Sequence, residues 1–228
     1  MKITFPHMGN VYIAGKAFLE ALGQEAIPPP RCSRRTLELG IKHSPETICL
    51  PLKIMIGNFI ESIEKGADTI LLVGSCGPCR FGFYSILEEI ILKDLGYDVE
   101  FIVYEPIGEG VNRLKKNISS TLNITNVAGL LKATRLAWKL IHKADRITDL
   151  ANEARAYAKD SSRVDLIINN YYRKVEQVFG EEEMIDLMDK TMDSLNKVER
   201  KENYQPIRIG LIGEIYTLIV PFVNLDIE

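Results

Sequence analysis

The chain has 228 residues, 46% hydrophobic and 26% charged, an ordinary composition for a globular protein with a sizeable core. A formal net charge of −3 and a pI near 5.8, with 31–35 as the densest basic stretch, exclude a dedicated nucleic-acid binder. No apolar run approaches the ~20 residues of a membrane span and residues 1–7 form no secretory signal, so the expected location is the cytoplasm, where thiols stay reduced.

Taken in chain order, 2–5 reads as a short strand and 6–10 as a turn. A helix over 12–22 stops at Gly23. A short strand at 26–28 is closed by Pro29 and Pro30, and a short helix follows over 36–42. Ile56, Phe59, Ile60 and Ile63 recur at helical spacing within 52–65, which ends at Gly66. The apolar, β-branched run 69–74 suits a strand covered on both faces. Tyr84, Leu87, Ile91 and Leu95 mark a helix over 81–95, and 99–104 is another buried strand. Strands alternating with helices imply an α/β fold of Rossmann or flavodoxin-like type, a parallel sheet flanked by helices.

A composition shift marks the next segment. Residues 1–110 hold 12 of the 16 Gly and 8 of the 10 Pro, and no Pro occurs between Pro106 and Pro206. From about 123 to 202 the pattern is helical. Its stripes are Ala128, Leu131, Arg135 and Trp138, then Ile167, Tyr171, Lys174 and Val178, then, after a break at Gly180, Ile185, Met188, Met192 and Leu195. Residues 206–213 read as a strand entering a glycine turn. The expected organisation is an α/β domain over 1–120, a helical segment over 121–205, and over 206–228 the first strand of a truncated second α/β domain.

All four cysteines fall in the first domain. Cys32 follows the second strand, Cys49 precedes the helix near Pro51, and Cys76 and Cys79 lie between the strand 69–74 and the helix 81–95. In a parallel sheet the loops leaving the strand C-termini share one edge, where ligands bind. Gly77 lets backbone approach sulfur, Pro78 fits a helix first turn, and a helix N-terminus favours thiolate. Four thiolates suit a four-iron cluster or a structural zinc, although the spacing x16, x26, x2 offers only one close pair. Cys76 and Cys79 alone would suit a dithiol oxidoreductase, and a bland reading keeps some of these cysteines as core residues.

Three stretches carry a family resemblance: Phe5-Pro6-His7-Met8-Gly9-Asn10, Ile48-Cys49-Leu50-Pro51-Leu52-Lys53, and Gly74-Ser75-Cys76-Gly77-Pro78-Cys79-Arg80-Phe81-Gly82. They resemble the 2-hydroxyacyl-CoA dehydratase and benzoyl-CoA reductase superfamily, and within it the CoA-substrate-specific enzyme activase-related (CoA-protein-activase-like) branch. The resemblance resumes at 207–213. It implies a four-iron four-sulfur cluster on Cys32, Cys49, Cys76 and Cys79, in a protein of anaerobic, low-potential metabolism. It also implies an ATP-dependent activase as electron donor and an acyl-CoA as the eventual acceptor. The chain would then be a component or fragment of a dehydratase-like enzyme, acting as a homo- or hetero-dimer. Characterised relatives often use three cysteines and leave one iron open; four would close the cluster and favour electron transfer.

Other residues are weighed with these. His7 and Asn10, in the first strand-to-helix loop, are candidates to contact a cluster or substrate, or to stabilise the turn. Lys53, four residues after Cys49, and Arg80, Arg34 and Arg35 are candidates to balance negative charge. Glu109 is a weaker site candidate after the strand 99–104. The partial glycine loop 210–214 lacks the dinucleotide fingerprint. Tyr84 reads as core.

Overall fold

The structure, a computed structural model, describes residues 1–74, 80–104, 127–207 and 209–227. Strands β1 (Lys2–Thr4), β2 (Glu25–Ala26), β3 (Thr69–Val73) and β4 (Glu100–Tyr104) form one parallel sheet in the order β2-β1-β3-β4. This is the flavodoxin-like order, and the α/β reading holds. Helix α1 (Val11–Ala21) links β1 to β2. Helices α2 (Arg34–His43) and α3 (Leu50–Glu64) link β2 to β3, and a 3-10 turn (Arg80–Phe83) with α4 (Tyr84–Asp94) leads to β4.

The period of two in β3 divides the core. Ile70 and Leu72 join Leu52, Phe59, Tyr84 and Leu92 on one face. Leu71 points to the other face, where Ile3, Phe5 and Ile102 meet α1 and the helical segment. Helices α2 and α3 cross in close contact. A Cβ at Gly40 would lie 1.7 Å from the Lys53 carbonyl oxygen, and one at Gly57 1.9 Å from that of Thr36. Helix α2 starts earlier than its apolar pattern suggested, because Ser33 and Thr36 form a capping box.

The helical segment holds α5 (Val127–Tyr157), α6 (Ser162–Gln177) and α7 (Glu181–Asn196). The expected break at Gly180 is present. A second break, at 158–161, was not anticipated. It is held by a bridge between Ala158 and Arg200 and by the Lys201 N–H donating to the Tyr157 carbonyl. The buried stripe of α5 also differs from expectation. Leu131 and Trp138 are exposed, and Ala133, Leu136, Leu140, Ala144 and Ile147 face the core. Small alanines allow α5 to approach α1 closely, a packing preference that a hydrophobicity pattern undervalues. Lys16 of α1, buried, pairs with Glu20 at 2.6 Å and donates to the Val178 carbonyl, tying the segment to the sheet domain.

The described residues of 206–213 join no strand, and Ile207, Ile209 and Ile212 are exposed. A short helix α8 (Ile215–Ile219), capped by Glu214, then returns the chain to the sheet domain. There Tyr216 and Val220 enter the core beside α3 and α4.

Candidate functional site

All four strands being parallel, the segments that follow them leave one edge of the sheet. The order β2-β1-β3-β4 places the topological switch between β1 and β3, where such sheets bind ligands. Residues 5–10 follow β1, Arg31 and Cys32 lie between β2 and α2, and β3 ends three residues before Cys76. Gly9 has a φ of +48°, and a Cβ there would sit 2.6 Å from the Ile219 carbonyl oxygen, so the tail seats against this loop only because the side chain is absent.

Of the four cysteines, Cys32 and Cys49 are described; Cys76, Cys79 and Glu109 lie outside the described residues. Cys32 and Cys49 are half-buried free thiols packed against the same apolar cluster. The Cys32 thiol donates to Asn58 Oδ1 at 3.5 Å, while Asn58, fully buried, donates from Nδ2 to the Pro30 carbonyl at 3.1 Å. Burial pushes the Cys32 thiol up to about 12, and the nearby Glu61 carboxylate adds to this. Cys49 is the N-cap residue of α3, and its sulfur lies 2.5 Å from the Tyr84 hydroxyl.

Behind these thiols is a set of polar groups that the sequence did not single out. Tyr84, read as core, is buried but touches Cys49 through its hydroxyl. One helical turn on, Glu88 is wholly buried, and neither carboxyl oxygen has a hydrogen-bond partner among the described residues. Burial raises its pKa well above the usual carboxylate range, which favours the protonated form. Tyr216 stands among them. Burial first, then the charges that Cys32, Glu88 and Tyr84 would carry, keep its hydroxyl protonated well above the usual tyrosine range. Its hydroxyl lies 3.4 Å from the His7 carbonyl, linking the tail to the first loop.

The remaining candidates fall elsewhere. Asn10 donates to Asp145 Oδ1 and Thr148 Oγ1, both at 3.0 Å, and so anchors the first loop to α5. Lys53 donates to the Glu46 carbonyl at 2.9 Å. Arg34 pairs with Glu38 and Arg35 with Glu64, on exposed helix surface. Arg80 begins the 3-10 turn. His7 is buried, stacks on Tyr12 at 5.1 Å, and lines a cavity with Arg31 and Tyr172. Burial and the Arg31 charge lower its pKa to about 4, so the ring is neutral.

Fold and edge together define a doubly wound α/β domain with soft thiol donors in the segments between its strands and helices. Two free thiols at this edge fit a thiophilic metal centre; no group of three or more His, Cys, Asp or Glu residues among the described residues forms one unaided. Residues 7–72 match the family described as CoA enzyme activase uncharacterised domain. That stretch runs from the first loop through both described cysteines into β3, and relates this part of the chain to the CoA enzyme activases. No curated protein and no solved structure matches the chain. Among the described residues no helix is long and apolar enough to cross a membrane.

Proposed function

We propose that this chain is an iron–sulfur protein of a CoA-enzyme activation system, in which Cys32, Cys49, Cys76 and Cys79 hold one four-iron four-sulfur cluster. The observation behind this reading is that Cys32 and Cys49 are both half-buried free thiols packed against one apolar cluster. The 7–72 match supplies the setting, work with CoA enzymes. When bound, such a cluster supplies one-electron transfer at low potential.

The chain's own residues do the rest. Cys32 and Cys49 lose their protons as they ligate metal. For Cys32 burial opposes that loss until a cation compensates it. The Tyr84 hydroxyl, beside the Cys49 sulfur, donates a hydrogen bond to the thiolate. Leu52, Phe59 and Val220 keep water from one side. Four thiolates complete the coordination, which suits electron transfer rather than binding of an acyl group at iron. An ATP-dependent activase is the donor in this scheme, and acyl-CoA chemistry is the destination.

The test is reduction. Anaerobically reconstituted protein, mixed with such an activase in its reduced form as the electron source, should lose visible absorbance only when ATP is added. A protein that takes up zinc and shows no ATP-dependent change rejects this reading in favour of a structural metal site.

A further inference from the structure

The first strand-to-helix loop opens on a cavity of about 370 Å³ whose lining carries charges of both signs. That lining presents Arg31, whose guanidinium lies over the Tyr172 ring, 4.5 Å from its centroid. Arg31 pairs with no carboxylate among the described residues, so its planar fork of donors is held in place by the ring and left for another partner. It also borders a second cavity of about 430 Å³, which makes it the shared corner of the two. The same lining includes Asp145 and Asp149, one helical turn apart on α5 and both exposed. Asp145 gives one oxygen to Asn10, and Asp149 takes part in no ion pair among the described residues. His7 and Tyr12 also line it. Both His7 ring nitrogens and the Tyr12 hydroxyl are buried without hydrogen-bond partners among the described residues, a condition that native proteins seldom leave uncompensated.

The charge pattern discriminates between ligand classes. A phosphate dianion would gain Arg31 but meet two carboxylates, and the phosphates of coenzyme A face the same objection. A simple monocarboxylate leaves the acidic residues unused. A molecule with a carboxylate and an ammonium meets charges of both signs, and a cavity of this size admits one. The place is also the expected one, outside the strand ends at the topological switch.

We propose that this cavity binds a small zwitterion of the amino-acid type, its carboxylate on Arg31 and its ammonium on Asp145 and Asp149. The site is independent of any group held by the cysteines. It neighbours them, because Arg31 directly precedes Cys32, so occupancy would steady the segment that carries that thiol.

Calorimetric titration of the full-length protein, without added metal, tests this. The probes are the common amino acids, propionate, ethylamine, inorganic phosphate and coenzyme A. At least one amino acid should bind one per chain, more tightly than any other probe. Arg31→Gln and Asp149→Asn should each weaken it about tenfold or more, the effect of losing one charge-assisted bond. Should Arg31→Gln fail to fold, the exposed Asp149→Asn decides alone. Absence of binding by every amino acid at millimolar concentration overturns the proposal. So does tighter binding of phosphate or coenzyme A, or unchanged affinity in both variants.

Discussion

The Cys49 sulfur lies 2.5 Å from the Tyr84 hydroxyl, joining the N-cap of α3 to the first residue of α4 across the sheet edge. If Cys49 ligates a redox centre, that hydroxyl stabilises the more negative, reduced state. Tyr84→Phe should therefore retain metal and lower the reduction potential by tens of millivolts, on the order of one charge-assisted hydrogen bond. Anaerobic potentiometry measures this, and an unchanged potential separates Tyr84 from the site.

Cys32 should be a slow thiol. With its pKa pushed up to about 12 by burial, little thiolate exists near pH 8. In metal-free protein carrying Cys32 as the sole cysteine, alkylation at pH 8 should run more than about tenfold slower than for an exposed thiol. It should accelerate with each pH unit up to pH 10. A rate equal to that of a free thiol would show the segment around Cys32 to be open.

Glu88 should make the protein less stable as pH rises. Its folded pKa is raised, so above about 4.3 the unfolded chain gives up a proton that the folded chain keeps. Stability then falls by up to about 1.4 kcal/mol per pH unit until the folded group ionises. Denaturant titrations of wild type and Glu88→Gln should diverge as pH rises above about 5, the variant gaining. Parallel curves would mean that Glu88 is ionised and partnered.

His7 should act in the opposite sense. Its folded pKa is lowered to about 4, so the unfolded chain binds the extra proton first and stability is lost as pH falls from about 6.5 toward 4. His7→Gln should flatten that part of the profile, removing up to about 3 kcal/mol of pH-dependent loss. A profile identical to wild type would place the imidazole in contact with water.

The crossing of α2 and α3 should admit no side chain. Gly40→Ala and Gly57→Ala drive a methyl into backbone carbonyls and should each cost about 1–3 kcal/mol or prevent folding. Gly210→Ala, with open space around it, should change stability little.

Much of this was legible in the sequence, for physical reasons. The run Thr69–Val73 could only be a strand covered on both faces, and glycines after α1, α3 and α4 marked their ends. Parallel topology follows from alternating strands and helices, and with it the shared edge at which Cys32 and Cys49 lie. Residues that depend on tertiary placement were not legible. Glu88 sits where a helical pattern expects an apolar residue, and Tyr216 reaches His7 across 209 positions of sequence. Arg31 reads in sequence only as part of the basic stretch 31–35, because nothing local shows that Tyr172 will lie beneath it. Arg34 and Arg35 drew attention by proximity to Cys32, yet both face outward from α2 to meet glutamates.

The central claim is one iron–sulfur cluster on four cysteines. Its most direct test is the iron and acid-labile sulfide content of anaerobically purified or reconstituted protein, with Cys32→Ser and Cys49→Ser beside wild type. The account predicts roughly four irons and four sulfides per chain, a broad visible absorbance lost in air, and sharply lower content in both variants. A colourless wild type that binds zinc stoichiometrically, and takes up no iron or sulfide under reconstitution, would contradict it.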